Sequence, residues 1–225
     1  MTEAEWRACI DPRPMLGFLR DKASDRQPRL FACAYGRAVR DTLHLGPVAV
    51  VAVAERYADG LANAEDLASQ RRGVYFPDEF RTWVVAPSAY EGAWQAVDWL
   101  TSALTLMPRD PDALSQFPIL AGEIVKRSVH FLRDIFDNPF RPVTIDPAWL
   151  TWRDGTFPKL AQAIYDEHAF DRLLILADAL EDAGCDNADI LAHCRGPGPH
   201  VRGCWVIDLL LGKESHLGRW TDPEG

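Results

Sequence analysis

Val48-Ala49-Val50-Val51-Ala52-Val53-Ala54-Glu55-Arg56-Tyr57 is the one stretch of this chain that reads as either strand or helix, and it decides the fold class. β-Branched residues recur along it, which favours extended backbone. Alanine is interspersed with them, however, and the run continues unbroken into Glu55-Arg56-Tyr57-Ala58. A strand also needs a partner, and no second strand candidate lies nearby. The segment is therefore expected to be a buried helix.

Outward from it the pattern is helical in both directions. Toward the N-terminus, Leu30, Phe31, Ala34 and Ala38 form one apolar stripe, with Ser24 or Asp25 as a cap. Asp11-Pro12 starts a shorter helix carrying Met15, Leu16 and Leu19, and Thr2 with Glu5 is a capping-box pattern ahead of Trp6. Toward the C-terminus, residues 73–87 hold glycine, prolines and aromatics and are expected to be a loop-rich segment or mobile lid. Helical spacing resumes from Ser88 to Leu104 and from Leu114 to Phe136, and Asp137-Asn138-Pro139-Phe140-Arg141-Pro142 breaks it. Short helices are expected at Asp146-Pro147, at 157–165, 170–183, 186–193 and 201–211, with Gly184 closing one of them. The expected architecture is all-α, an irregular multi-helix bundle or stacked helical hairpins. Residues 1–136 are expected to form an N-terminal helical region and 143–225 a C-terminal short-helix region, within one continuous globular unit.

Composition narrows the function. The chain has 225 residues, 48% of them hydrophobic, with 24 basic against 33 acidic side chains and a net charge of −9. Disorder and fibrous classes are excluded, and the acidity argues against nucleic acid as a partner. The charge is uneven: residues 1–40 carry eight bases and five acids, residues 146–189 three bases and ten acids. No basic-then-apolar leader opens the sequence. The longest nearly apolar stretch, Leu45–Ala54, is too short for a bilayer span, so a cytoplasmic, membrane-free protein is expected. Five cysteines (Cys9, Cys33, Cys185, Cys194 and Cys204) are too few and odd in number for a disulfide scaffold.

The densest chemistry lies between Gly184 and Trp205, which holds Cys185, His193, Cys194, His200 and Cys204. Thiolates and imidazoles suit zinc, and Cys185, Cys194, His200 and Cys204 are the candidate metal ligands. Against this, the spacing lacks a tight knuckle, and small buried cysteines with His200 capping the last helix explain the same residues. Arg195 and His200 are a weaker, nuclease-like catalytic pair. No phosphate loop, dinucleotide fingerprint or nucleophile elbow is present. Adjacent carboxylates such as Glu181-Asp182 diverge on a helix and read as solvated surface. Most tryptophans fall on apolar stripes, but Trp83 and Trp220 stand in loop-like or terminal contexts and are candidate partner-binding residues.

Several blocks resemble an uncharacterised, paralogue-rich bacterial family. They are Asp11-Pro12 with Met15-Leu16, Arg133-Asp134-Ile135-Phe136, Asn138-Pro139-Phe140-Arg141-Pro142, Leu176-Ala177-Asp178-Ala179-Leu180-Glu181-Asp182-Ala183-Gly184-Cys185, and Pro199-His200-Val201-Arg202-Gly203-Cys204-Trp205. The resemblance is weak over residues 42–120. The family pattern places a cysteine-rich stretch after the position of Ala34, where this chain has Tyr35-Gly36-Arg37. The resemblance implies a cytoplasmic bacterial protein occurring in many variants, which fits an interaction or regulatory module. The leading expectation is thus a non-enzymatic helical module that binds another protein or itself. The alternative is a small zinc protein or enzyme with its site near residues 185–204.

Overall fold

The computed structural model describes residues 1–42, 49–70, 80–106 and 111–213. Trp220 and residues 73–79 of the expected loop lie outside them. The described residues form thirteen α-helices and no strand, an all-α fold. No helix among them is long and apolar enough to cross a membrane. The chain divides into two compact units, Met1–Arg133 and Asp134–Gly225.

In the first unit, α1 (Glu3–Ala8) begins with the Thr2–Glu5 capping box, and α2 (Pro12–Leu19) with an Asp11 cap ahead of Pro12. The long α3 (Arg26–Thr42) is buried along most of its circumference. It packs against α4 (Ala49–Ala58), α6 (Phe80–Val84) and α7 (Ala89–Leu106), with α5 (Ala64–Ser69) on α4. From Ala49 onward the ambiguous valine run is helix α4. Val50, Val51 and Ala54 are buried while Ala49 and Ala52 are exposed, a spacing of three and four that only a helix produces. Glu55 of α4 is buried and paired with Arg37 of α3 at 2.9 Å.

The expected loop at 73–87 is corrected where it is described. Phe80–Val84 is a helical turn, and Trp83, Val84, Val85 and Ala86 are buried. Two things pull this segment inward. Trp83 is 4% exposed and packs its ring on Tyr35 and Trp99. Arg29 of α3, itself buried, donates to the carbonyls of Val84 and Ala86 at 3.2 and 2.9 Å. Trp83 therefore offers no exposed partner surface.

Helix α8 (Pro111–Phe136) follows. Near its end, Arg133 donates to the carbonyls of Trp6, Arg7 and Cys9 at 2.8–2.9 Å, satisfying the open C-terminal end of α1. Asp134, Ile135 and Phe136 belong to the second unit. That unit continues with α9 (Pro147–Thr151), α10 (Thr156–Glu167), a 3-10 turn at Phe170–Arg172, α11 (Leu173–Asp182), α12 (Ala188–Arg195) and α13 (Trp205–Leu210). Phe157, Ile164, Leu173, Leu176, Ile190, Ile207 and Leu210 form its core. Gly184, at φ 89°, ends the α11 region as expected. The last helix starts four residues later than expected. Gly198 and Gly203 adopt positive φ, the Gly198–Pro199 bond is cis, and residues 196–204 run as an irregular strap into α13.

Candidate functional site

That strap creates the site. His200 neither caps the last helix nor shares a helical face with Cys204. The two lie on a non-helical segment whose path carries both side chains to Asp134, at the end of α8.

Asp134 is buried, and its carboxylate is fully engaged. Its Oδ1 lies 2.6 Å from His200 Nδ1 and 3.1 Å from His193 Nε2, and its Oδ2 accepts the Val201 N–H at 2.8 Å. His193 projects from α12. Its Nε2 is also 3.2 Å from Cys204 Sγ. The indole N–H of Trp205, the first residue of α13, donates to His193 Nδ1 at 2.9 Å. The ligating atoms of Asp134, His193, His200 and Cys204 all lie within 4.8 Å of one another. The two imidazoles, 16% and 11% exposed, form the solvent-facing edge of the cluster, and Cys204 is fully enclosed. His200 also lines a shallow pocket of about 320 Å³ with Phe170, Leu174 and the turn at 196–199.

The partners settle the protons. A tryptophan N–H can only donate, so His193 Nδ1 must accept, and a neutral His193 carries its hydrogen on Nε2. That hydrogen is directed at Cys204 Sγ, and Asp134 Oδ1 lies 3.1 Å from the same nitrogen. His200 likewise directs Nδ1–H at the carboxylate. Its Nε2 is buried without a bonded partner. Burial alone would raise the Asp134 carboxyl, but the two histidines outweigh it and hold it below the ordinary range. Burial works against the His200 imidazolium, and the Asp134 carboxylate overcomes it, so His200 sits above its ordinary value. Burial, with the neighbouring Asp134 charge, pushes the Cys204 thiol well above its ordinary value. An enclosed thiol of this kind is no free nucleophile.

The structure brings together His193, His200 and Cys204 of the cysteine- and histidine-rich stretch, and adds Asp134. It does not bring in Cys185 or Cys194 as ligands. Both are buried in the apolar core of the second unit. Successive helical residues point about 100° apart, so with His193 turned to Asp134 its neighbour Cys194 turns to the core. Burial pushes the Cys194 thiol up to about 12. Arg195 is engaged by Asp178 at 2.9 Å and Glu181 at 2.6 Å, while His200 is engaged by Asp134, so a phosphate-handling Arg–His pair is not assembled.

Sequence reasoning missed Asp134, which lies far from the other three. One signal could have found it. An acidic side chain in the last turn of a helix opposes the helix dipole, and such a placement usually has a specific cause. Comparison with family models, with curated proteins and with solved structures returned no match.

Proposed function

We propose that this chain is a metal-binding protein, with zinc as the favoured ion, and that Asp134, His193, His200 and Cys204 form its centre. The observation that carries this reading is the convergence of one carboxylate, two imidazoles and one thiol to within 4.8 Å. Mixed oxygen, nitrogen and sulfur donors suit zinc, and hard ions such as magnesium do not take thiolates. Charge supports the reading as well. A divalent ion with one carboxylate and one thiolate is neutral overall, which removes most of the penalty of an enclosed charge. The ion would link the end of α8 to the strap before α13, so it would also contribute to folding.

Metal content per chain after expression with added zinc tests this directly. About one zinc per chain is expected, lost in Cys204→Ser and after chelation, with a lower melting temperature for the chelated protein. A wild-type chain that takes up no zinc, cobalt or other transition ion would remove the proposal.

A protein-interaction module is a second reading. What favours it is the neighbouring pair Leu174 and Ile175 on α11, 55% and 60% exposed. Light scattering on the wild type and on Ile175→Glu addresses it: a strict monomer in both cases speaks against self-association through this face.

A further inference from the structure

We infer that His193 is not itself a metal ligand but the outer-shell donor of a three-residue centre, and that the fourth coordination position is left to an exchangeable ligand, water or a small anion. This rests on the metal reading above and assigns roles within it.

The argument is donor and acceptor bookkeeping. A histidine that binds a metal through Nε2 must carry its hydrogen on Nδ1, and it normally donates that hydrogen to an acceptor. His193 Nδ1 faces the Trp205 indole N–H at 2.9 Å, and that group cannot accept. Ligation through Nε2 would set two N–H groups against each other. The Nε2–H form suffers no such conflict. It donates to Cys204 Sγ at 3.2 Å and lies 3.1 Å from Asp134 Oδ1, two atoms that themselves can bind the ion. A carboxylate oxygen has a second lone pair and a thiolate several, so both can ligate and accept at once. His200 is different. Its Nδ1 points at the same carboxylate oxygen, and its other ring nitrogen faces no donor that would forbid a hydrogen there. His200 can therefore give up its Nδ1 lone pair to a metal.

The inner set is then Asp134, His200 and Cys204. Three protein ligands plus one exchangeable position is the pattern of sites that activate a bound water, whereas structural sites close all four positions. Trp205 acts as a positioning residue: it holds His193 in the tautomer that keeps it out of the inner set.

Cobalt(II) reads both parts of the inference in the full-length chain. Titration with Co²⁺ alone is expected to give one ion per chain and a thiolate charge-transfer band that Cys204→Ser abolishes. Adding azide is expected to shift the visible bands of the wild-type complex, because the anion replaces the fourth ligand. His193→Gln keeps an amide N–H toward Asp134 and an acceptor toward Trp205. It is expected to retain one cobalt per chain with a loss of about 10–100-fold in affinity. Loss of stoichiometric binding in a His193→Gln variant with a wild-type circular dichroism spectrum would overturn the inference and leave the metal reading standing. So would a wild-type spectrum that azide leaves unchanged. A wild type that binds no cobalt overturns both.

Discussion

His200 Nδ1 and Asp134 Oδ1 lie 2.6 Å apart although 66 residues separate them in the chain. That contact organises the second unit's polar centre. The Asp134 carboxylate is shielded from water, so the two N–H groups that donate to it, with the His193 imidazole 3.1 Å away, replace its hydration. Removing the carboxylate leaves the part-buried Val201 N–H and the His200 Nδ1–H without their acceptor.

Asp134→Ala is accordingly expected to cost about 3–5 kcal/mol, the usual penalty for breaking one side of a buried charged network. Asp134→Asn should cost less, because the amide oxygen still accepts one of the two. Urea denaturation of metal-free protein checks the order of the two variants. A cost under about 1 kcal/mol for Asp134→Ala would show that the network does not stabilise the unit.

The helices were legible because local rules agreed with one another. Thr2 with Glu5, Asp11 with Pro12, and Gly184 each mark a boundary through short-range chemistry, and the structure places them at boundaries. The segment around Trp83 was not legible. Its inward position depends on Arg29, more than fifty residues away, supplying donors to carbonyls that would otherwise need water. The site was half legible for the same reason. His193, His200 and Cys204 sit within twelve residues and stand out by type, whereas Asp134 joins them only through tertiary packing. Cys185 and Cys194 stood out equally, but a thiol serves as readily as a small core residue, and the sequence does not reveal which way it faces.

Arg29 supports a second test in the first unit. Its guanidinium is buried over the Tyr57 ring and donates to carbonyls just after α6. Arg29→Met keeps the apolar stem but leaves those carbonyls unmet, at an expected cost of about 2–4 kcal/mol. Lysine has one donor centre where arginine has a fork, so Arg29→Lys should recover only part of the loss. Denaturant unfolding followed by tryptophan fluorescence reads the effect, since Trp83 lies on the segment that Arg29 secures.

Gly92 in α7 lies directly against the backbone of α6. A Cβ built there would fall on the Trp83 carbonyl oxygen and come within 3.1 Å of the Ala86 Cβ. Alanine in place of glycine normally gains up to about 1 kcal/mol in a helix. Here the overlap involves backbone, which cannot swing aside, so a net loss of about 1–3 kcal/mol is expected. Gly122→Ala in α8 is the control, because nothing lies within 4 Å of its Cβ position. It should be neutral or stabilising in the same melting assay, and equal behaviour of the two variants would argue against the close packing of α6 on α7.

Asp137 gives the pH dependence its sign. It follows α8 with a left-handed backbone, φ 52°, a conformation that Asp and Asn tolerate. Burial, aided by the nearby Asp189 charge, raises its carboxyl from 3.8 to about 6, against the opposing pull of the Asn138 N–H and Arg141. A pKa raised on folding means that the folded chain holds the proton more tightly than the unfolded one. The stability tied to that proton is present in full below the unfolded value and is lost as pH rises through the folded one. By pH 7 the ionised, partly buried carboxylate costs up to about 3 kcal/mol, from the difference between the two values. Asp137→Asn keeps the backbone conformation and removes the charge. The variant should therefore be more stable than the wild type at neutral pH, with the advantage fading toward about pH 4, where the wild-type carboxyl is protonated in the folded state. Urea denaturation of both proteins at the two pH values makes the comparison, and a stability difference that does not change with pH would show that Asp137 is not titrating in this range.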